Sequence, residues 1–314
     1  MNNKEQNIVH KTTIGGQSIL EGIMMKGPRK TCTVVRKPDG TLAIKDEETV
    51  PLKEKHPIAG WPIIRGFCMM VQSLKDGFAA IEYSSQFLED EEEQPSKFEK
   101  WLIKTFGEGK IESALYICSI LLGIGISVGL FILLPALLAG FLPDSFSHWA
   151  VNLLEGVMRI AIFIGYMFVM ACIPDMKRTF QYHGAEHKTI YCYEKGLDLT
   201  VENVRKQKRE HPRCGTSFLF VVMIISILVF SMVHSENHII QLVMRLVLLP
   251  IVIGLSYEVN RFAGRYDNCL TRALRWPGMM LQHISVLEPD DSMIEVGIVS
   301  LQHVIPENRQ EDKW

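Results

Sequence analysis

Four apolar blocks punctuate an otherwise mixed pattern of hydrophobic and polar positions. Each comes close to the roughly 18 residues or more that a helix needs to cross a bilayer. They run from about Ser113 to Leu142, Ala150 to Ile173, Phe218 to Val233 and Ile239 to Leu255. The first is Gly-rich and contains Pro135, which predicts a kink. Elsewhere the period is shorter. Thr31 to Arg36 and Thr41 to Lys45 read as strands around Pro38-Asp39-Gly40, a turn sequence in which each residue has a steric reason to be there. Ile63, Ile64, Phe67, Met70, Val71, Leu74, Phe78 and Ile81 recur at helical spacing, predicting a helix that starts near Trp61 with Pro62 in its first turn. It is too polar to span, and either packs on the small sheet or lies at the membrane surface.

The glycines between Thr12 and Pro28 read as a tight turn or bulge, because no phosphate-loop pattern accompanies them. Glu89 to Glu93 is an acidic linker, and Met1 to Lys11 lacks the apolar core of a signal peptide. After the fourth block, Tyr257, Phe262, Tyr266, Leu270 and Leu274 predict an amphipathic helix that Trp276-Pro277-Gly278 breaks. Ile294, Val296 and Ile298 alternate within Met293 to Val299, predicting a strand that pairs with the N-terminal hairpin. A polar tail, Pro306 to Trp314, closes the chain.

The predicted fold class is an α-helical integral membrane protein. It has four transmembrane helices and a small α+β cytoplasmic lobe formed by both termini and the central loop. The corresponding segments are an N-terminal region (1–112), two spans (113–173), the central loop (174–217), two further spans (218–255) and a C-terminal region (256–314). Charge sets the orientation. The turns 143–149 and 234–238 contain no Lys or Arg, whereas the stretch 176–215 contains nine. By the positive-inside rule, both termini and the central loop face the cytoplasm, and the lipid bilayer is the first partner. A formal net charge of −2, with no basic stripe, argues against nucleic acid. Seven scattered cysteines without a C-x-x-C pair do not form a disulfide framework. Glu155, Arg159 and Arg245 fall inside the apolar blocks, where Glu155 has a partner in Arg159 one turn on or in Arg245 at similar depth. A structural ion pair with snorkelling fits them better than a polar path through the bundle.

The chemistry lies in the central loop. His183-Gly184-Ala185-Glu186-His187 reads H-x-x-E-H, on a stretch from Lys177 to Glu194 that is predicted to be helical, with Gly196 as its stop. Two histidines four residues apart lie about 40° apart around a helix, so both imidazoles reach one ion. Glu186 then sits close enough to orient a ligand or take a proton from water. The inverted zinc peptidases use this spacing in the same way, but only these three residues are shared, so neither their fold nor their substrate carries over. His211-Pro212-Arg213-Cys214 adds an imidazole and a thiol whose loop can turn both the same way. The candidate ligands are therefore His183, His187, His211 and Cys214, and this mixed set suits zinc. If all four bind, the site is closed and structural. If three bind, one position is open and Glu186 is the candidate catalytic base.

Four blocks together carry a resemblance. They are Gly15-Gly16-Gln17-Ser18 through Pro28, Tyr182-His183-Gly184-Ala185-Glu186-His187-Lys188, His211-Pro212-Arg213-Cys214-Gly215-Thr216, and Glu288-Pro289-Asp290-Asp291. In this order they resemble the YqhQ-like family of bacterial multi-pass membrane proteins, whose function is unknown and which are often described as predicted metal-dependent enzymes. The resemblance implies a bacterial cell-membrane protein. Three functions remain open. One is a zinc-dependent hydrolase acting at the cytoplasmic membrane face. Another is a non-enzymatic module whose metal staples a lobe that binds another membrane protein, in export or quality control. The weakest is transport along the intramembrane charges.

Overall fold

The computed structural model describes residues 8–87, 108–143, 145–232 and 237–314. The acidic run 89–93 lies outside the described residues. Two compact units result, 89–165 and the remainder of the chain.

In the larger unit, β1 (Gly15–Ile19), β2 (Gly22–Lys26), β3 (Lys30–Arg36) and β4 (Leu42–Glu48) form an antiparallel meander in the order β1-β2-β3-β4. The hairpin around Pro38-Asp39-Gly40 is as expected, with Gly40 at φ 84° and the Asp39 carboxylate accepting from the Thr41 amide. The glycine-rich stretch before it is a correction: it forms two strands, not an isolated turn or bulge. Glycine there permits close layering. A Cβ on Gly16 would sit 2.6 Å from the Met24 carbonyl oxygen and 3.1 Å from the Glu186 carboxyl carbon.

The sheet is covered on both faces, so β2 reads as a continuous apolar run rather than an alternation. One face packs Ile23, Met25, Cys32 and Val34 against α6 (Pro174–Glu194) and α11 (Asp291–Val304). The other packs Ile19, Met24, Val35 and Ala43 against Ala80 and Tyr83 of α2 (Ile64–Ser85), which follows a short helix α1 (Leu52–Lys55). The N-terminal half of α2 meets α9 (His238–Arg265), where a Cβ on Gly66 would strike Tyr257 and Gly254.

Residues 293–299 are helical, which overturns the expected strand and its pairing with the hairpin. Met293, Val296, Gly297, Ser300, Leu301 and Val304 are all buried, a 3.6-residue period that the three alternating β-branched residues concealed. Asp290 caps α11, its carboxylate accepting from the Met293 amide at 3.0 Å. A second correction concerns Trp276-Pro277-Gly278. These residues lie inside α10 (Cys269–Ser285) rather than ending a helix. Gly278 packs flush on Ser217 of α8 (Gly215–Ser231), and that contact outweighs the local cost of Pro277. The amphipathic stretch after the fourth block is likewise divided: α9 runs unbroken to Arg265, and α10 starts at Cys269 with an Asn268 capping box.

Among the described residues, three helical segments are long and apolar enough to cross a membrane: Ile117–Ala139, Trp149–Cys172 and Ile239–Arg265. The apolar α8 is 17 residues long. In the smaller unit, α3 (Glu108–Val128) passes through a π-helical turn, Gly129–Leu133, into α4 (Leu134–Ala139). Pro135 has no N–H to offer the Phe131 carbonyl four residues back. Arg159, on α5 (His148–Cys172), donates to that carbonyl at 2.8 Å and pairs with Glu155 at 2.8 Å. The expected ion pair therefore also serves the carbonyl that Pro135 leaves without a donor. In the larger unit, the Arg245 guanidinium lies over the Phe230 ring.

Candidate metal centre

α6 restarts the chain after α5 with Pro174 at its first position and ends at Gly196, whose φ is 66°. It carries His183, Glu186 and His187 as expected. Each histidine is oriented by a backbone carbonyl. His183 Nδ1 lies 3.0 Å from the Ser285 carbonyl oxygen, and His187 Nδ1 lies 2.5 Å from that of Arg209. A carbonyl only accepts, so in both rings Nδ1 carries the hydrogen and Nε2 presents a lone pair. The two rings stand 4.4 Å apart, edge to face.

Cys214 reaches the same place from the other side. It is the N-cap of α8, and its Sγ accepts from the Thr216 amide at 3.5 Å and the Thr216 hydroxyl at 3.3 Å. Its Sγ lies 3.2 Å from His183 Nε2, and one ligand atom each from His183, His187 and Cys214 falls within 4.8 Å of the others. Zinc bond lengths of ~2.0–2.3 Å imply tetrahedral edges of roughly 3.3–3.8 Å, so the separation of His183 Nε2 and Cys214 Sγ is close to one such edge. Gly184 sets the approach of the Ser285 side, because a Cβ there would collide with the Leu287 carbonyl.

Glu186 is buried behind the histidines. Its Oε1 accepts the Gly16 amide at 3.0 Å, while Oε2 has no hydrogen-bond partner among the described residues. Burial pushes its carboxyl above the usual range, against the opposing pull of His183 and the Gly16 amide.

His211, the fourth expected ligand, is not in this group. Its main chain is clamped by Gln282, whose side chain accepts from the His211 amide at 2.7 Å and donates to its carbonyl at 2.9 Å. Its ring packs 4.6 Å from Tyr191 and 5.6 Å from His187, and Nε2 points to Glu194 at 3.4 Å. Burial lowers the imidazole to about 4, with the Glu194 hydrogen bond acting in the opposite sense. Glu194 is fully buried, which alone would raise it. The His211 hydrogen bond, the Arg213 charge and the Thr12 amide reverse this and hold it below its ordinary value. The neighbouring Lys188, also buried, donates to the Arg205 carbonyl and pairs with Glu288.

Several contributors carry no motif. The Ser285 and Arg209 carbonyls are backbone atoms, invisible to any side-chain pattern. Thr216 had a signal, since a hydroxyl two residues after a helix cap is placed to donate back to it. Gly16 and Glu288 belonged to the recognised blocks without an evident role.

The protein-family model described as a protein of unknown function, DUF1385, matches residues 61–307. The uncharacterized protein YqhQ of Bacillus subtilis (strain 168) is 31% identical over 303 residues, covering 93% of this chain and 92% of its own length. No solved structure matches the chain. The chain belongs to the DUF1385 family.

Proposed function

We propose that this DUF1385-family protein is a zinc-dependent hydrolase of the bacterial cell membrane, with His183, His187 and Cys214 as ligands and Glu186 as its general base. The observation that carries this reading is the pair of carbonyl anchors on Nδ1. They leave both Nε2 lone pairs free, that of His183 lying 3.2 Å from a capped thiol, the outer-shell arrangement common to histidine ligands. A zinc ion held by His183, His187 and Cys214 would supply the Lewis acidity that makes water nucleophilic near neutral pH. Glu186 has one oxygen held by Gly16 and the other available to accept the proton that such water releases. Its raised affinity for protons suits that task.

The same reading takes α8 as a fourth span, with both termini and the central loop in the cytoplasm. Cys214 caps that apolar helix, so the centre sits at the membrane surface, within reach of a lipid, a lipid-linked molecule or a membrane-protein segment. A structural role has one observation in its favour: the ligands come from α6 and the start of α8, with carbonyl anchors from the loop before α8 and the end of α10. An ion would tie four segments together. Glu186→Gln separates the two, because glutamine keeps an acceptor for Gly16 but cannot act as a base. The hydrolase reading expects the variant to retain zinc and fail to restore the phenotype of a deletion strain. Full rescue would assign the metal to structure.

A further inference from the structure

A second convergence of metal-ligating side chains lies where the sheet meets the end of α11, and it shares no residue with the α6 centre. Cys32 and Asp46 are directly opposed in the β3–β4 register, so both side chains leave the same face of the sheet. α11 covers that face, with Cys32 and Val34 packed among Met293, Ile294, Ile298 and Leu301. Ser300 fixes the register of the helix on the strands, donating to the Cys32 carbonyl at 3.1 Å and the Ile23 carbonyl at 3.3 Å. One turn later His303 reaches the edge strand, and its Nδ1 lies 2.8 Å from Asp46 Oδ2. One ligand atom from each of the three residues lies within 4.8 Å of the other two.

A buried cysteine is ordinarily a small apolar filler, and an exposed Asp–His pair is ordinarily a surface contact. Neither description explains why the fully buried thiol of Cys32 faces a carboxylate. Thiol, carboxylate and imidazole arriving from three elements form a donor set whose types suit zinc. Asp46 is exposed and His303 half-buried, so an ion has a route in from solvent.

We propose that Cys32, Asp46 and His303 form a second, exchangeable zinc site that fastens the C-terminal end of α11 to β3 and β4. It does not depend on the hydrolase reading. The test is equilibrium dialysis of the full chain in mild detergent against buffered free zinc, comparing the wild type with His303→Ala, Asp46→Asn and His187→Ala. About two zinc ions should bind the wild type and about one each variant, given one ion per cluster. Asp46→Asn alters an exposed side chain at constant size, so loss of an ion there does not reflect unfolding. Unchanged stoichiometry in both His303→Ala and Asp46→Asn would overturn the second site while leaving the first standing. A single ion in the wild type that survives His187→Ala and disappears in His303→Ala would support the second site and overturn the first.

Discussion

α6 carries two polar clusters, and they differ in how their lone pairs are used. At Glu194 the carboxylate is fully surrounded: Thr12 donates to one oxygen, Arg213 pairs with it, and His211 faces the other. At His183 and His187, seven to eleven residues earlier on the same helix, the carbonyl anchors occupy only Nδ1, His183 Nε2 lies 3.2 Å from Cys214 Sγ, and one ligand atom from each of the three residues lies within 4.8 Å of the others. The first arrangement is saturated by the protein itself. The second presents three donors to one point. Burial alone therefore does not make a ligand: His211 is as deeply placed as His187, yet its free nitrogen is taken by a charge partner. Its role is to hold the loop that delivers Cys214 three residues later.

The sharpest way to break the saturated cluster is Glu194→Ala. It leaves the Arg213 charge buried without its partner, which costs about 3–5 kcal/mol. Chemical denaturation of the detergent-solubilised protein should show the loss, and a change below about 1 kcal/mol would mean that Arg213 finds water.

Acid tests the same cluster more gently. His211 in the folded chain holds its proton only below about 4, against 6.5 in the unfolded chain. Glu194 is also lowered on folding. In both cases the unfolded state binds more protons, so stability is lost as pH falls. The loss from His211 begins near 6.5 and is complete below about 4, where it reaches at most about 3 kcal/mol at 1.36 kcal/mol per pH unit. Glu194 adds to it below 4.5. Unfolding midpoints of chelator-treated protein across this range should decline toward acid, and a flat profile would remove the saturated-cluster description.

Gly184→Ala acts on the ligand cluster instead. A methyl group there meets the Leu287 carbonyl and displaces the segment that supplies the Ser285 anchor. A destabilisation of about 1–3 kcal/mol is expected from overpacking. Zinc affinity should fall about 10–100-fold, as for lost outer-shell partners. Competition titration against a chelator measures the second effect, and unchanged affinity would separate the Ser285 contact from ligand orientation.

Much of this contrast was legible in the sequence, because it rests on spacing. The i, i+4 histidines bring two imidazoles to one side of α6, and Gly196 marks its stop. Pro135 pointed to an irregularity in its helix, but neither the π turn before it nor the uptake of the freed carbonyl by Arg159 was legible. The division between His211 and Cys214 was not legible. Three residues of loop permit either side chain to face α6, and the choice depends on Gln282 and Glu194, which are distant in sequence. The stretch 293–299 misled because three alternating residues satisfy period 2, while its helical period emerges only across 293–304. β1 and β2 were hidden by glycines that serve close packing against Glu186 and Met24.

The metal content of the protein purified in mild detergent, wild type beside His187→Ala, tests the central assignment most directly. Elemental analysis with His303→Ala as the common background isolates the α6 centre. About one zinc per chain is expected there, falling to none when His187→Ala is added, as three-ligand coordination requires. Folded protein in that background that binds no zinc, or that keeps it after His187→Ala, would contradict the assignment of His183, His187 and Cys214 as a metal centre.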